Sequence, residues 1–464
     1  TDKNKDGLEV YIMSSDNLPL FTGKQLRALI LPLIVEQFLG IFVGMADTMM
    51  VASAGEAAVS GVSLVDSLNV LLIVLFVALT TGGSVIISQH LGAKSYSDAL
   101  KSAQQLLLST TSLSLLMTAI ALLGNYWLLH FIFGNIAPDV MGHARIYFFI
   151  LAFSYPFLAI YNSCAAIFRA MGNSKISMTA SLVMNLLNVC GNALLVFCFH
   201  MGASGVAISS LISRMFAAAF LLLMLRRPDQ LITLKTYSLQ FDTGIIRKLL
   251  YIGVPSSIET SIFQIGKLLV LSVVAGFGTS ATTANAVSNS LSQFALIPAA
   301  AIGTAMITIS GQCIGAGAYD LAVSYTKKLL LLSHGILAAT NLIMFFACPY
   351  LLPLYSLTPE TLQTATLLIR VHSIGSIFLY PESFMLTNTL RAAADVKYPM
   401  VVSILSMWIW RIGFSYILGI YFHMGVLGVW VAMLSDWLCR SICFGLRFRS
   451  GVWKTKNKSL MEEM

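Results

Sequence analysis

Twelve apolar stretches, separated by turn signals, run through this chain from end to end. A helix needs about 20 mostly apolar residues to cross the ~30 Å hydrocarbon core of a bilayer, and each stretch meets that length. Six of them (26–51, 58–91, 103–124, 143–164, 176–199 and 203–225) precede a polar connector at 226–246. Six more (247–275, 282–313, 326–348, 362–388, 399–422 and 426–446) follow it. Barrel strands alternate over about ten residues, so these longer, uniformly apolar runs predict helices. Composition agrees. Only 10% of the 464 residues are charged and 57% are hydrophobic, against about 25% charged in soluble proteins. Such a chain cannot cover its apolar mass with a solvated surface. That excludes an ordinary soluble enzyme, a disordered chain and a secreted disulfide scaffold, and predicts an all-α integral membrane protein.

Lysines and arginines then predict orientation, because cytoplasmic loops carry them in excess. The N-terminal segment, the even-numbered connections and the C-terminal tail, together with the first residues of the spans that follow them, hold 22 of the 28 basic residues, and the odd-numbered connections hold none. Both termini are therefore expected in the cytoplasm: residues 1–25 as an N-terminal segment, 226–246 as an inter-lobe loop and 447–464 as a tail. The net charge of +8 is spread among apolar runs without a continuous patch, so no nucleic-acid partner is expected. Residues 1–22 lack the apolar core of a cleavable signal, and Met13 is a candidate natural start, which would place residues 1–12 before it. The seven cysteines (Cys164, Cys190, Cys198, Cys313, Cys348, Cys439, Cys443) have no zinc-ligand spacing and are expected to act as small hydrophobes.

The chain also repeats itself. Residues 27–100 align without a gap on 250–323, an offset of 223, with sixteen identities that include Pro32/Pro255, Glu36/Glu259, Gly55/Gly278 and Gln89/Gln312. Phe199-His200-Met201-Gly202 matches Phe422-His423-Met424-Gly425 at the same offset, and Arg169-Ala170 matches Arg391-Ala392 at 222. Six helices per copy bring both copies into the membrane from one side, as parallel repeats about an axis along the membrane normal. Transporters are often built in this way. The expectation is twelve transmembrane helices in two six-helix lobes, 26–225 and 247–446.

Acids inside apolar spans cost roughly 2.5–3.5 kcal/mol at a helix centre, which makes each a functional candidate. Asp47 lies in the outer half of helix 1, and its repeat counterpart is Val270, so the fold common to both lobes does not require it. Glu36 falls eleven residues earlier on nearly the same face, about 16 Å away along the axis. Its twin is Glu259, and the pair suits either a brace beside the prolines or a duplicated cavity carboxylate. Asn185, Asn188 and Asn192 form one polar stripe on helix 5, which can offer donors to Asp47 or oxygens to a hard cation. The plainer alternative is amide glue between helices. In the second half, Glu259, Gln264 and Lys267 mark helix 7, and Glu382 follows Pro381 on helix 10, where the proline frees carbonyls. Lys267 is a candidate counter-ion for Glu259 or Glu382. Asp436 and Arg440, spaced i, i+4, predict a local ion pair. Asp66 beside Asn69 leans to a structural role, and Arg214 and Arg411 have no partner in the pattern. None of the seven histidines stands in a catalytic cluster, which argues against a membrane enzyme, and no filter motif suggests a channel.

Together these features resemble the multidrug and toxic compound extrusion (MATE) family of cation-coupled antiporters. The likeness rests on Pro32, Gln37 and Gly44-Met45-Ala46-Asp47-Thr48, on Gln89-His90-Leu91-Gly92-Ala93, and on Arg169-Ala170-Met171-Gly172-Asn173. The second half adds Gly253-Val254-Pro255, Glu259, Gly311-Gln312-Cys313-Ile314-Gly315-Ala316 and Leu390-Arg391-Ala392. The helix 1 aspartate of that family couples transport to protons or ions, which implies that role for Asp47. The chain looks closer to the DinF-like branch, whose Asn-x-x-x-Asp pattern here reads Asn188-Val189-Cys190-Gly191-Asn192, without the second acid. The NorM-like branch uses carboxylates on helices 7 and 10, near Glu259 and Glu382. The expected protein is a monomeric inner-membrane antiporter, moving H+ (or Na+ near Asp47) inward and expelling amphipathic, cationic compounds, with no other cofactor or metal. Asn188 and Asn192 join Asp47 as coupling residues. Glu36, Asn185, Glu259, Gln264 and Glu382 are the cavity or secondary-coupling set. The nearest rival is a lipid-linked precursor flippase of the same superfamily.

Overall fold

The computed structural model describes residues 20–53, 55–134, 136–235 and 240–456, and all regular structure among them is helical. The candidate start at Met13 and most of the N-terminal segment lie outside the described residues. Twelve spans follow in order. Spans 1 to 3 are Gly23–Ala52, Glu56–Gly92 and Tyr96–Leu123. Span 4 is the bent pair Pro138–Ala152 and Tyr155–Ala170, and spans 5 and 6 are Ser174–Cys198 and Gly202–Leu225. Spans 7 to 9 are Thr243–Ala275, Thr279–Gly315 and Tyr319–Tyr355. Spans 10 to 12 are Pro359–Ala392, Lys397–Tyr421 and Gly425–Ser450. This is the expected all-α membrane architecture. A short helix, Asn125–Phe133, also lies between spans 3 and 4, where none was expected.

The described residues form two compact units, Arg27–Ser257 and, in the second, residues 20–26 with 258–456. We call these the N-lobe and C-lobe. Span 2 in the first and span 8 in the second are the most enclosed helices. Within the N-lobe, Phe76, Leu129, Phe148 and Tyr155 are almost fully buried together. The C-lobe core gathers Leu352, Leu368, Trp430 and Trp437. Lipid is as apolar as leucine, so membrane helices associate through close packing of small residues and polar contacts. Gly82 and Gly253 show this: a Cβ on Gly82 would stand 2.3 Å from the Leu249 carbonyl oxygen, and one on Gly253 would stand 2.6 Å from that of Ala78.

The repeat is also present in the backbone. Positive φ occurs at Gly55 and Gly278 (100° and 94°), Lys94 and Gly317 (60° and 72°), His200 and His423 (54° and 55°), and Gly202 and Gly425 (54° and 58°), each pair 223 residues apart. Gly172 and Ala394 (81° and 59°) keep the offset of 222.

Two local features depart from unbroken helices. Span 4 is bent by 50° between Ala152 and Tyr155. Pro156 lacks an N–H and displaces the preceding turn, and the buried hydroxyl of Ser154 in the break accepts from Arg214 at 2.6 Å. At Pro381 the ladder does not break but widens into a π-turn over Pro381–Met385. The connector before span 7 is anchored as well. Gln105 of span 3 donates to the Gln240 carbonyl at 2.8 Å and accepts from the Asp242 amide at 3.0 Å. Asp242 then caps span 7 by accepting from Gly244 and Ile245.

Candidate functional site

Span 1 is the least enclosed helix, with 17% of its apolar window buried. Asp47 on it is held from span 5, where Asn192 Nδ2 donates to Asp47 Oδ1 at 2.5 Å. Asn192 Nδ2 also lies 3.4 Å from Asn188 Oδ1, and Asn188 Nδ2 donates to Ser210 Oγ at 3.1 Å. Asn185 reaches only Ser181 within its own helix. The polar stripe is therefore real and buried, but only Asn192 touches the acid. Asn192 Oδ1 is buried with no hydrogen-bond partner among the described residues, so the carboxamide that holds Asp47 keeps one unused acceptor.

Asp66 forms a second polar centre in the same lobe. It accepts from Asn69 Nδ2 and the Tyr147 hydroxyl, both at 3.3 Å, and Tyr155 donates to Asn69 Oδ1 at 2.6 Å. Arg214, which has no visible partner in the sequence pattern, lies within electrostatic reach of both Asp47 and Asp66.

Glu36 accepts from Arg169 Nη1 and from Ser177 Oγ, each at 3.1 Å. In the C-lobe, Glu259 accepts from Arg391 Nη2 at 2.7 Å and from Ser403 Oγ at 2.8 Å. Each glutamate thus ties the proline-bearing first span of its repeat to the arginine ending the fourth span and to the fifth.

The other two C-lobe acids that the sequence places inside spans, Glu382 and Asp436, are also paired. Glu382 Oε1 lies 2.9 Å from His334 Nε2, and His334 Nδ1 lies 2.7 Å from the Ile377 carbonyl. Because a carbonyl only accepts, Nδ1 carries a proton, and the contact at Nε2 requires one further proton on either the imidazole or the carboxyl. Asp436 is fully buried. It accepts from Arg440 Nε at 2.8 Å and Ser406 Oγ at 2.6 Å, with Arg411 Nη1 at 3.6 Å. The expected Asp436–Arg440 pair is thus two members of a triad, which supplies the partner that Arg411 lacked in sequence. Lys267 pairs with neither Glu259 nor Glu382, whose partners are Arg391 and His334, contrary to its expected counter-ion role. It borders a cavity of about 240 Å³ with Arg411, Asn285, Asn289 and Gln293. Gln264, one turn earlier on span 7, is half-buried, and its side chain forms no hydrogen bond among the described residues.

The MatE family model matches residues 32–194 and again 255–417. The chain belongs to the MatE family. Two matches at an offset of 223 are the sequence repeat seen from outside. YisQ of Bacillus subtilis (strain 168), an uncharacterised transporter, is 29% identical over 432 residues, covering 92% of this chain and 94% of the relative. A probable multidrug resistance protein, NorM of Thermotoga maritima, is 24% identical over 444 residues and 93% of each chain. Among solved structures, MATE in the bent conformation superposes with a TM-score of 0.86 at 18% identity, covering 94% of this chain and 97% of that one. This MatE chain is therefore a multi-pass membrane transporter.

Four contacts of this MatE chain are not visible in the sequence pattern: His334 on Glu382, Arg411 on Asp436, and the duplicated pair of Arg169 on Glu36 and Arg391 on Glu259. Only the last had a usable signal. Both arginines and both glutamates recur near one offset, so a pairing in one lobe predicts the pairing in the other. No cluster of three His, Cys, Asp or Glu side chains stands ready for a metal among the described residues.

Proposed function

We propose that this transporter is an antiporter of the bacterial inner membrane, with both termini cytoplasmic, that exports amphipathic organic compounds against an inward flow of H+. The contact between Asp47 and Asn192 carries this reading. An ionised Asp47 only accepts, and it takes the Asn192 amide N–H. Once protonated, the same carboxyl becomes a donor, and the unused Asn192 Oδ1 is the matching acceptor after the carboxamide turns. The contact therefore has two arrangements that differ by one proton, on the helix least held by its neighbours. Na+ is the second candidate ion, since Asp47, Asn188 and Asn192 oxygens are of the kind a hard cation takes. Asn185, Gln264 and Glu382 belong to the surroundings of transport in this reading, and Glu36 and Glu259 to the frame. The chain acts as a monomer.

Proteoliposome efflux with separately imposed pH and Na+ gradients and a panel of cationic dyes tests the proposal. A pH gradient alone should drive export, and Asp47→Asn should abolish the response while the protein still inserts and folds. Full proton-linked efflux by Asp47→Asn would overturn it.

A further inference from the structure

The two lobes have diverged in the sign of their polar residues. At the offset of 223, Asp47 aligns with Val270, Asp66 with Asn289, and Gly44 with Lys267. The C-lobe carries no acid at the places of the N-lobe's two polar-centre acids, and a cation where the N-lobe has glycine. The cavity of about 240 Å³ lies where those exchanges fall. It is lined by Lys267 and Arg411, by the carboxamides of Asn285, Asn289 and Gln293, and by no acidic side chain.

The cations there are short of partners. Lys267 makes no ion pair or hydrogen bond among the described residues, and its ammonium lies 5.0 Å over the Phe263 ring. Arg411 is 7% exposed. Its Nε and Nη1 make no hydrogen bond among the described residues; its one acid, Asp436, meets it only as an ion pair through Oδ2 at 3.6 Å, while Oδ1 takes Arg440 and Ser406. Arg411 and Arg440 lie over the same Phe263 ring as Lys267, each at 5.2 Å. Three cations thus surround one aromatic ring with a single carboxylate among them. A buried guanidinium with unused N–H groups is costly unless an acceptor arrives. Beside the polar groups stand Val270, Met433 and Trp430, which suit the first methylenes of an acyl or aryl chain.

We propose that this C-lobe cavity binds the anionic group, carboxylate or phosphate, of an amphipathic molecule. Lys267 and Arg411 neutralise its charge, the amide groups of Asn285 and Gln293 donate to its oxygens while that of Asn289 is already spent on Asn285, and the apolar wall takes its chain. The site extends the substrate class of the proposed exporter beyond cations. It rests on that reading only for its link to transport, because binding requires no turnover at Asp47.

Calorimetric titration of the full-length protein in phosphatidylcholine nanodiscs, with n-dodecyl phosphate as the probe, tests this site. Partitioning into lipid is the same for every variant, so differences between proteins report the cavity. The wild type should bind saturably. Lys267→Gln should weaken binding by about tenfold or more, as loss of a charge-assisted bond does, and Lys267→Arg should retain it. Gln293→Leu provides a second, uncharged probe of the same wall and should weaken binding by about threefold. Asp47→Asn should bind as the wild type does, which separates failure of this site from failure of the coupling reading. Dodecyltrimethylammonium should show no component sensitive to Lys267→Gln. Competition by added phosphatidylglycerol would support the site with a lipid headgroup as the source, and its absence would support a free amphiphile. Equal affinity of wild type and Lys267→Gln for dodecyl phosphate, or Lys267-dependent binding of the cationic amphiphile, would overturn the proposal.

Discussion

Glu36 and Glu259 stand 223 residues apart and hold the same two kinds of partner, an arginine ending the fourth span of the repeat and a serine in the fifth. The acids are duplicated because the joint is duplicated. Glu36→Gln or Glu259→Gln should each lower stability in detergent by about 1–3 kcal/mol, the cost of leaving a partly buried arginine without its charged acceptor. Thermal unfolding measures this. A full melting temperature with lost transport would instead assign Glu36 to the transport path.

The asparagine stripe should divide by position. Asn192→Leu removes the donor on Asp47 and should slow drug-driven proton release by about tenfold. Asn185 bonds only to Ser181 among the described residues, so Asn185→Leu should leave it within about twofold. Equal losses for the two would make the stripe a packing feature, and stopped proton-release assays in proteoliposomes distinguish these outcomes.

His334 and Glu382 share a proton in either of two placements, so each depends on the other. A double-mutant cycle with His334→Gln and Glu382→Gln should give a coupling energy of about 0.5–3 kcal/mol in thermal melts. Simple additivity of the two changes would show the contact to be energetically idle.

Gln105 clamps the connector through the Gln240 carbonyl and the Asp242 amide. Gln105→Leu removes about 1 kcal/mol of hydrogen bonding and should raise limited tryptic cleavage at Lys235 about fivefold, since such cleavage follows the opened population. Gel densitometry over a digestion series reads the change. An unchanged rate would mean that the connector is held elsewhere.

Much of the frame was legible because a bilayer imposes simple rules. Span number, span type and the doubling of the lobes follow from run lengths and an ungapped alignment. Pairings between spans were not legible. Arg411 and Asp436 lie 25 residues apart on different helices, and helical periodicity places each on a face without saying which face it meets. His334 and Glu382 are hidden for the same reason. The bend in span 4 had a signal, Tyr155-Pro156 inside an apolar run, whereas Pro381 widened its helix rather than breaking it. At Asp47 the sequence named the residue and the stripe but not which asparagine bonds to it, and that bond comes from Asn192.

His200 and His423 both hold left-handed backbone, at φ 54° and 55°, and both side chains are exposed. Glycine adopts that region without the roughly 1–2 kcal/mol cost borne by other residues, offset in part by its greater freedom when unfolded. His200→Gly and His423→Gly should each stabilise the protein by about 0.5–1 kcal/mol in chemical or thermal unfolding, and the alanine variants should not. A loss of stability in the glycine variants would assign the imidazoles a bonding role.

The matched left-handed residues also have a consequence for engineering. They are joints whose torsions are already shared between distant parts of one chain, so the segment between two of them is an interchangeable cassette. Residues 55–94 and 278–317 begin and end on matching joints. A chain carrying the second cassette in both places would meet no new backbone angle at its seams. Whatever such a chimera lost would come from side chains, and most directly from Asp66, whose place Asn289 would take.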